Sequence, residues 1–139
     1  MTDSYEDRVK AEKAQREKNA CLIDQFEVWL IGKNLSERTI NRHILNIDLF
    51  INFFLLAEDP ISPEGGVYHL TRYFERWFPR KVMSNKSTIE KNSISIIKFY
   101  TFLAENKRVD QEKLRNIRTE IKAVRHKLTA MPSSYGRQL

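Results

Sequence analysis

The sequence has little of what disulfide-bonded, metal-binding or membrane-spanning proteins need. A single cysteine, Cys21, cannot form an internal disulfide. His43, His69 and His126 stand far apart, outside the ligand spacings of zinc sites, so we expect neither a metal nor another cofactor. The longest apolar run, over residues 49–57, is interrupted and too short to cross a bilayer. These absences favour a metal-free protein that binds no membrane.

Targeting signals and strand patterns are also missing. Residues 1–19 carry equal numbers of acidic and basic side chains, the opposite of the apolar core of a signal peptide, and we therefore expect a cytoplasmic protein. Only four Gly and four Pro occur, most of them between residues 32 and 79. Since no run of strand length alternates apolar and polar residues, the sequence predicts an all-α fold.

Apolar residues at helical spacing predict five helices. They cover residues 20–31, 37–57 and 67–78, a segment from the polar cluster 84–88 to about residue 106, and residues 111–130. Gly32 is a predicted C-cap and Ser36 a predicted N-cap, whereas Pro79 is expected to end the third helix. Proline and glycine predict a loop over residues 58–66.

The predicted organisation is one compact domain with appendages. Residues 1–19 form a polar helical arm with almost no apolar face, and residues 20–110 form the main helical domain. Residues 111–131 form a basic amphipathic helix, and residues 132–139 a flexible tail. Cys21 begins the first apolar stripe and is expected to be a small buried residue rather than a reactive thiol.

Positive charge is concentrated in two places. Of the net charge of +6, residues 1–19 contribute 0, residues 20–110 contribute +1 and residues 111–139 contribute +5. A second local excess of Lys and Arg lies within residues 72–91. Basic patches commonly bind polyanions, above all nucleic acids. Lysines and arginines that only keep a helical surface hydrated would produce the same excess of positive charge, so both interpretations stay open.

Shifting the sequence by 49 residues superimposes the second predicted helix on the fourth. Matched pairs are Thr39 with Thr88, Ile40 with Ile89, Arg42 with Lys91, Leu45 with Ile94, Ile47 with Ile96, Phe50 with Phe99 and Phe53 with Phe102. Since repeated elements of a protein usually have the same function, the two helices are predicted to be functional partners. The alternative stays open that two amphipathic helices with hydroxyl caps align in some register by chance.

The same two helices resemble a known family. Residues 29–40 (WLIGKNLSERTI) and 48–54 (DLFINFF) are similar to the N-terminal core-binding domain of tyrosine recombinases, the SAM-like domain of the phage integrase family. Residues 84–89 (SNKSTI) and 95–103 (SIIKFYTFL) resemble the last main helix of that domain. The resemblance covers about residues 20–106 and implies a SAM-like bundle of four main helices, followed here by a C-terminal helix.

The resemblance also implies a role in DNA integration or site-specific recombination. In that family the domain lies on one side of duplex DNA, with the counterparts of the second and fourth helices approaching the major groove. A separate domain supplies the chemistry, so we expect this chain to bind double-stranded DNA without catalysis. His69 and Arg72 reproduce a His-x-x-Arg spacing of that catalytic domain, but chance produces such a pair easily, and neither this pair nor Tyr135 is interpreted as catalytic.

Twelve residues are predicted to contact DNA, in three roles. Phosphates would be neutralised by cations, which are Arg38, Arg42, Arg80, Lys81, Lys86 and Lys91. Hydroxyls at helix starts would either bind phosphate or only cap the helix, and these are Thr39, Ser87 and Thr88. Base edges would be reached by side chains on the polar faces, which are Asn41, Arg42, Asn92 and Ser95.

The leading alternative is a helical protein-interaction or dimerisation module without DNA binding. Apolar residues of the last predicted helix recur in three- and four-residue steps, a spacing that suits docking on a second copy of the chain or on an intact recombinase. A ligand pocket walled by the aromatic third helix is a further alternative, which no accompanying set of polar residues supports.

Overall fold

A computed structural model describes residues 4–82 and 85–130 of the chain. Every regular element within these ranges is helical and none is a strand, so the all-α prediction is confirmed. No helix in the described ranges combines the length and apolarity that a membrane span requires. The chain divides into two compact units, Met1–Gly66 and Val67–Leu139, rather than the single domain predicted. The division falls at the end of the predicted loop 58–66.

The first unit is built from two long helices. Helix α1 spans Ser4–Ile31, and helix α2 spans Glu37–Asp48 and continues without a break into a π-helical turn, Leu49–Phe54. α1 packs against both parts of α2. Their buried side chains form an apolar core, listed along the chain as Leu22, Phe26, Leu30, Ile40, Ile47, Phe50, Ile51 and Phe54.

The predicted polar helical arm and the first predicted helix form one continuous helix, α1, with no boundary at residue 20. Asn19, at the predicted boundary, occupies a buried position in the same stripe as Leu22 and Phe26. Its side-chain amide donates to the Ile51 carbonyl at 3.2 Å and to Asn52 Oδ1 at 2.8 Å. A polar residue therefore continues the buried face of α1 beyond the point where the apolar pattern stops.

One expectation for α1 is wrong. Cys21 is exposed, because it lies about 100° around the helix from Leu22, beside the buried stripe and not in it. Gly32 is the first residue after α1, as predicted for a C-cap, and its amide donates to the Val28 carbonyl at 3.1 Å. The positive φ of the following turn lies at Asn34, with a value of 61°. Asparagine tolerates this conformation better than other residues with a side chain.

The described residues of the second unit, 67–82 and 85–130, form three helices. Helix α3 follows a 3₁₀ turn, Gly65–Tyr68, and has three continuous segments, Leu70–Arg72, a π-helical turn Tyr73–Trp77, and Phe78–Lys81. Helix α4 spans Lys86–Glu105 and helix α5 spans Gln111–Thr129. α5 packs against both α3 and α4. Residues 110 and 111 are therefore no domain boundary, because α5 belongs to the unit that contains α4.

Contrary to the prediction, Pro79 does not end α3. A proline inside a regular helix lacks the amide that would bond four residues back, and its ring collides with that carbonyl. Here the preceding turn is π-helical, and the Phe78 amide bonds instead to the Tyr73 carbonyl five residues back. Pro79 thus lies in the first turn of a new segment, where an amide is not needed, and the helix continues to Lys81.

Several predictions lie outside the described residues. These are the N-cap candidate Ser84, the end of the basic helix at residue 131, and the tail 132–139 with Tyr135.

Candidate nucleic-acid interface

Helices α2 and α4 begin in the same way. Ser36 caps α2 and accepts a hydrogen bond from the Thr39 amide at 3.2 Å. Asn85 caps α4 and accepts from the Thr88 amide at 2.9 Å, while Thr88 Oγ1 accepts from the Asn85 amide at 2.8 Å. The caps are 49 residues apart, and so are the two threonines at the third helical position. The register found in the sequence is therefore also the register of the helix starts.

Burial follows the same register along the first four turns. Matched buried pairs are Ile40 with Ile89, His43 with Asn92, Ile47 with Ile96 and Phe50 with Phe99. The pairing of Phe53 with Phe102 is wrong, because Phe53 is 52% exposed and Phe102 is buried. Each unit thus presents one helix whose outward face begins at a comparable cap and consists of corresponding positions.

On α2, the predicted residues form a polar face. Arg38 and Asn41 are exposed, and Arg38 makes no ion pair within the described part of the chain. Arg42 is only partly exposed, and its Nε is buried without a hydrogen-bond partner among the described residues. A buried donor without a partner costs free energy, and an acceptor from a ligand that reorients the side chain would remove that cost.

On α4, the predicted cations Lys86 and Lys91 are exposed together with Ser87, and neither lysine makes an ion pair within the described ranges. Glu90 lies on the same exposed face, where its carboxylate would repel a phosphate. Arg125 of α5 lies 4.0 Å from Glu90 Oε2 and offsets part of that negative charge. The face of α4 is therefore less basic than its lysines alone suggest.

Asn92 and Ser95 cannot read bases as predicted, because both are buried. Asn92 is three residues after Ile89 and four before Ile96, and these spacings place it on the apolar stripe of α4. Asn92 lies close to the hydroxyl of Tyr73 on α3, and burial raises the pKa of that hydroxyl far above its ordinary value. Ser95 lies on the same buried side and donates to the Lys91 carbonyl at 3.2 Å. Both residues belong to the packing of the second unit.

The threonine hydroxyls at the helix starts are occupied by capping. Thr39 Oγ1 accepts from Ser36 Oγ at 3.0 Å, and Thr88 Oγ1 donates to the Asn85 carbonyl at 3.0 Å. Of the two readings of these hydroxyls, the geometry favours capping over direct phosphate binding. Ser87, by contrast, is exposed at the second position of α4.

Arg80 and Lys81 are exposed in the last turn of α3. Positive side chains at a helix C-terminus are stabilised by the partial negative charge of the unpaired carbonyl groups. This location explains both cations by local stability alone, so they add positive charge to the second unit without belonging to the face of α4.

Helix α5 presents a basic face and hides its apolar one. Its stripe is buried within the chain, in the order Leu114, Ile117, Ile121 and Val124. These apolar side chains are therefore already covered within the chain and do not offer the docking surface that the protein-interaction alternative requires. The exposed side contributes Arg118, Lys122 and His126 to an open groove of about 830 Å³ against Glu90 and Ile97 of α4.

The described residues bring together no set of metal ligands. No group of three or more His, Cys, Asp or Glu side chains there could hold a metal ion. His69 and Arg72, the His-x-x-Arg pair, contact each other, with His69 Nδ1 and Arg72 Nη2 3.2 Å apart. This contact joins residues of one helical turn at the start of α3.

Two side chains on these faces were not among the predicted site residues. Leu45 of α2 is 69% exposed and Ile94 of α4 is 41% exposed, at matched positions. Each lies off the apolar stripe of its helix, by five residues from Ile40 and Ile89 respectively. Helical phase together with the 49-residue register was the signal that could have identified them.

Comparison with known proteins adds no identification. No protein-family model matches the chain, and no curated protein or solved structure matches it at a significant level. The exposed faces of α2 and α4 are consequently the basis on which a function is proposed.

Proposed function

We propose that this chain binds double-stranded DNA through the exposed faces of α2 and α4. The observation that carries the proposal is the shared pattern of the two helices, each with a side-chain cap, a threonine at the third position and a cation at the sixth, Arg42 and Lys91. A helix is the element that fits the major groove of B-DNA, and cations on it neutralise phosphates.

The individual contacts follow from the exposure of each side chain. Arg38, Lys86 and Lys91 are exposed and free of ion pairs within the described ranges, so a phosphate would replace only their hydration. Asn41 is exposed on the α2 face, and its amide is suited to bidentate pairing with adenine. Positive charge elsewhere on the second unit, on α3 and α5, raises the attraction of that unit for DNA at long range.

The biological role we propose is that of a core-binding domain of the tyrosine recombinase type, acting in DNA integration or site-specific recombination. The resemblance of residues 20–106 supports this part of the proposal, and the matched caps of α2 and α4 are consistent with it. The proposed role is to hold DNA and not to cut it. Strand cleavage by the purified chain on a suicide substrate would contradict this role.

The test is fluorescence anisotropy of a labelled 24-base-pair duplex at two salt concentrations. We expect affinity to fall steeply with salt, and the double variant Arg38→Glu/Lys91→Glu to lose at least about tenfold in affinity, since two phosphate contacts become repulsive. Lys10→Glu/Lys13→Glu is the matched control, because it makes the same change in net charge on exposed positions of α1.

Two results would count against the proposal. One is the absence of duplex binding at low salt by a protein whose circular dichroism spectrum shows a folded helical chain. The other is an equal loss of affinity in both double variants, which would indicate attraction by net charge alone rather than contact through α2 and α4.

A further inference from the structure

Helices α2 and α4 each expose an aliphatic side chain at the same position, Leu45 and Ile94. Leu45 and Ile94 are the ninth residues of their helices, three residues after Arg42 and Lys91. Isolated exposed aliphatic residues are common on protein surfaces and need no explanation. These two residues, however, occupy the same position of two helices that share caps, buried positions and a cation. The other shared positions cap the helix, fill the core or carry charge, so the matched aliphatic pair calls for an explanation of its own.

The neighbours of these side chains indicate which kind of surface they meet. Residues three, four and seven apart share a helical face, so Leu45 lies beside Arg38, Asn41, Arg42 and Asp48. Ile94 lies in the same way beside Ser87, Lys91, Lys98 and Glu90, and Arg125 offsets part of the charge of Glu90 from 4.0 Å away. Each exposed aliphatic side chain is thus bordered by polar groups and by more cations than carboxylates. Such a surface suits a partner that is mostly anionic and polar but offers a small apolar group among its acceptors.

DNA offers one such group in its major groove. Thymine carries a methyl group at C5, whereas the other groups on the groove floor are hydrogen-bond donors and acceptors. An aliphatic side chain gains by covering the methyl group, and it would leave a donor or acceptor unsatisfied if it covered another base. We propose that Leu45 and Ile94 each contact a thymine methyl group. The inference rests on the proposed function and adds the base that is read.

The experiment compares two duplexes that differ only in these methyl groups. One is a 24-base-pair duplex of alternating adenine and thymine, so that every register of the protein meets thymine, and the other has uracil in place of every thymine. Charge and base pairing are the same in both. We expect the protein to bind the thymine duplex roughly fourfold more tightly for each methyl group that is covered.

The double variant Leu45→Ala/Ile94→Ala should bind both duplexes with nearly equal affinity. Both positions are exposed, so the substitutions leave the core untouched. Val28→Ala is the matched control, because Val28 is an equally exposed aliphatic residue that lies on α1. It should keep the full preference for thymine.

The outcomes separate this inference from the function on which it rests. Equal affinity of the unchanged protein for both duplexes would overturn the thymine contact and leave DNA binding intact. A preference for thymine that survives in the double variant would also overturn it, since other residues would then sense the methyl groups. Failure to bind either duplex at low salt would remove the proposed function together with the inference.

Discussion

Helices α2 and α4 follow one pattern at their starts and differ at their ends. From the cap to the fourteenth residue, every buried position of α2 is matched, 49 residues later, by a buried position of α4, as in Ile47 with Ile96 and Phe50 with Phe99. α2 then changes into the π-helical turn Leu49–Phe54, whereas α4 remains a regular α-helix to Glu105. The two helices are therefore alike where they face outward with polar residues and unlike where their aromatic ends pack.

The π-helical turn shifts the register of the repeat by one residue, as the insertion of one residue would. Its hydrogen bonds close over five residues instead of four, as in the bond from the Leu55 amide to the Phe50 carbonyl at 3.0 Å. After the turn the matching positions are 48 apart, and all of them are buried, namely Phe54 with Phe102, Leu55 with Leu103 and Leu56 with Ala104. Phe53 is the extra residue of the π-helical turn, and its ring faces solvent. A repeat can therefore change register without interrupting its helix.

The change of register predicts its largest effects on stability for substitutions of three phenylalanines. Phe54→Ala and Phe102→Ala should each lower the free energy of unfolding by about 3–5 kcal/mol, because both remove a buried ring. Phe53→Ala should cost less than about 1 kcal/mol, since its half-exposed ring loses mainly a contact with Arg16, whose Cζ lies 6.0 Å from the ring centroid. Urea denaturation measures all three, and a Phe53→Ala cost as large as the others would contradict the shifted register.

A smaller effect is expected from Asn19, whose amide contacts the π-helical turn. Asn19→Ala should lower the free energy of unfolding by about 1–3 kcal/mol, because the Ile51 carbonyl and Asn52 both lose a buried donor. Gln15→Ala is the control. Gln15 donates to Asn19 Oδ1 at 2.9 Å from a more exposed position and should cost under about 1 kcal/mol. Equal costs for the two variants would show that the contact with α2 contributes nothing.

The smallest effect appears only in alkaline solution and concerns the second unit. Burial raises the pKa of Tyr73 above its ordinary value of 10.0, so its contribution to stability is complete below pH 10 and is lost as the pH rises toward the folded-state pKa. In Tyr73→Phe, the loss of stability between pH 9 and pH 11 should be shallower. Urea denaturation at both pH values measures the two slopes, and parallel slopes for Tyr73→Phe and the unchanged protein would contradict the assignment.

The sequence predicted much of the fold because its helices are marked by local signals. Ser36 is the observed cap of α2, and the apolar stripes of α4 and α5 are buried where spacing placed them. Two kinds of feature were out of reach. The burial of Asn19 depends on a carbonyl group 32 residues away, and the continuation of α3 through Pro79 depends on a π-helical turn, which leaves no signature in residue type.

The candidate site was predicted less well than the fold, for a reason visible in Asn92 and Ser95. Polar residues were assigned to the outer face of α4 by their chemistry, although their spacing from Ile89 and Phe99 placed them on the inner one. Leu45 and Ile94 were overlooked for the converse reason, since aliphatic residues are expected in the core. Helical phase identifies the outward residues of both helices better than polarity does.

The π-helical turn of α2 also decides where the chain can be shortened. Removing one residue from a regular helix rotates everything beyond it by about 100° and moves buried side chains to the surface. Within Leu49–Phe54 the same deletion would convert a five-residue hydrogen-bonded turn into a four-residue one. Deletion of Phe53 would remove the exposed ring and leave Phe54, Leu55 and Leu56 facing inward, in a helix that keeps the 49-residue cap register and ends like α4.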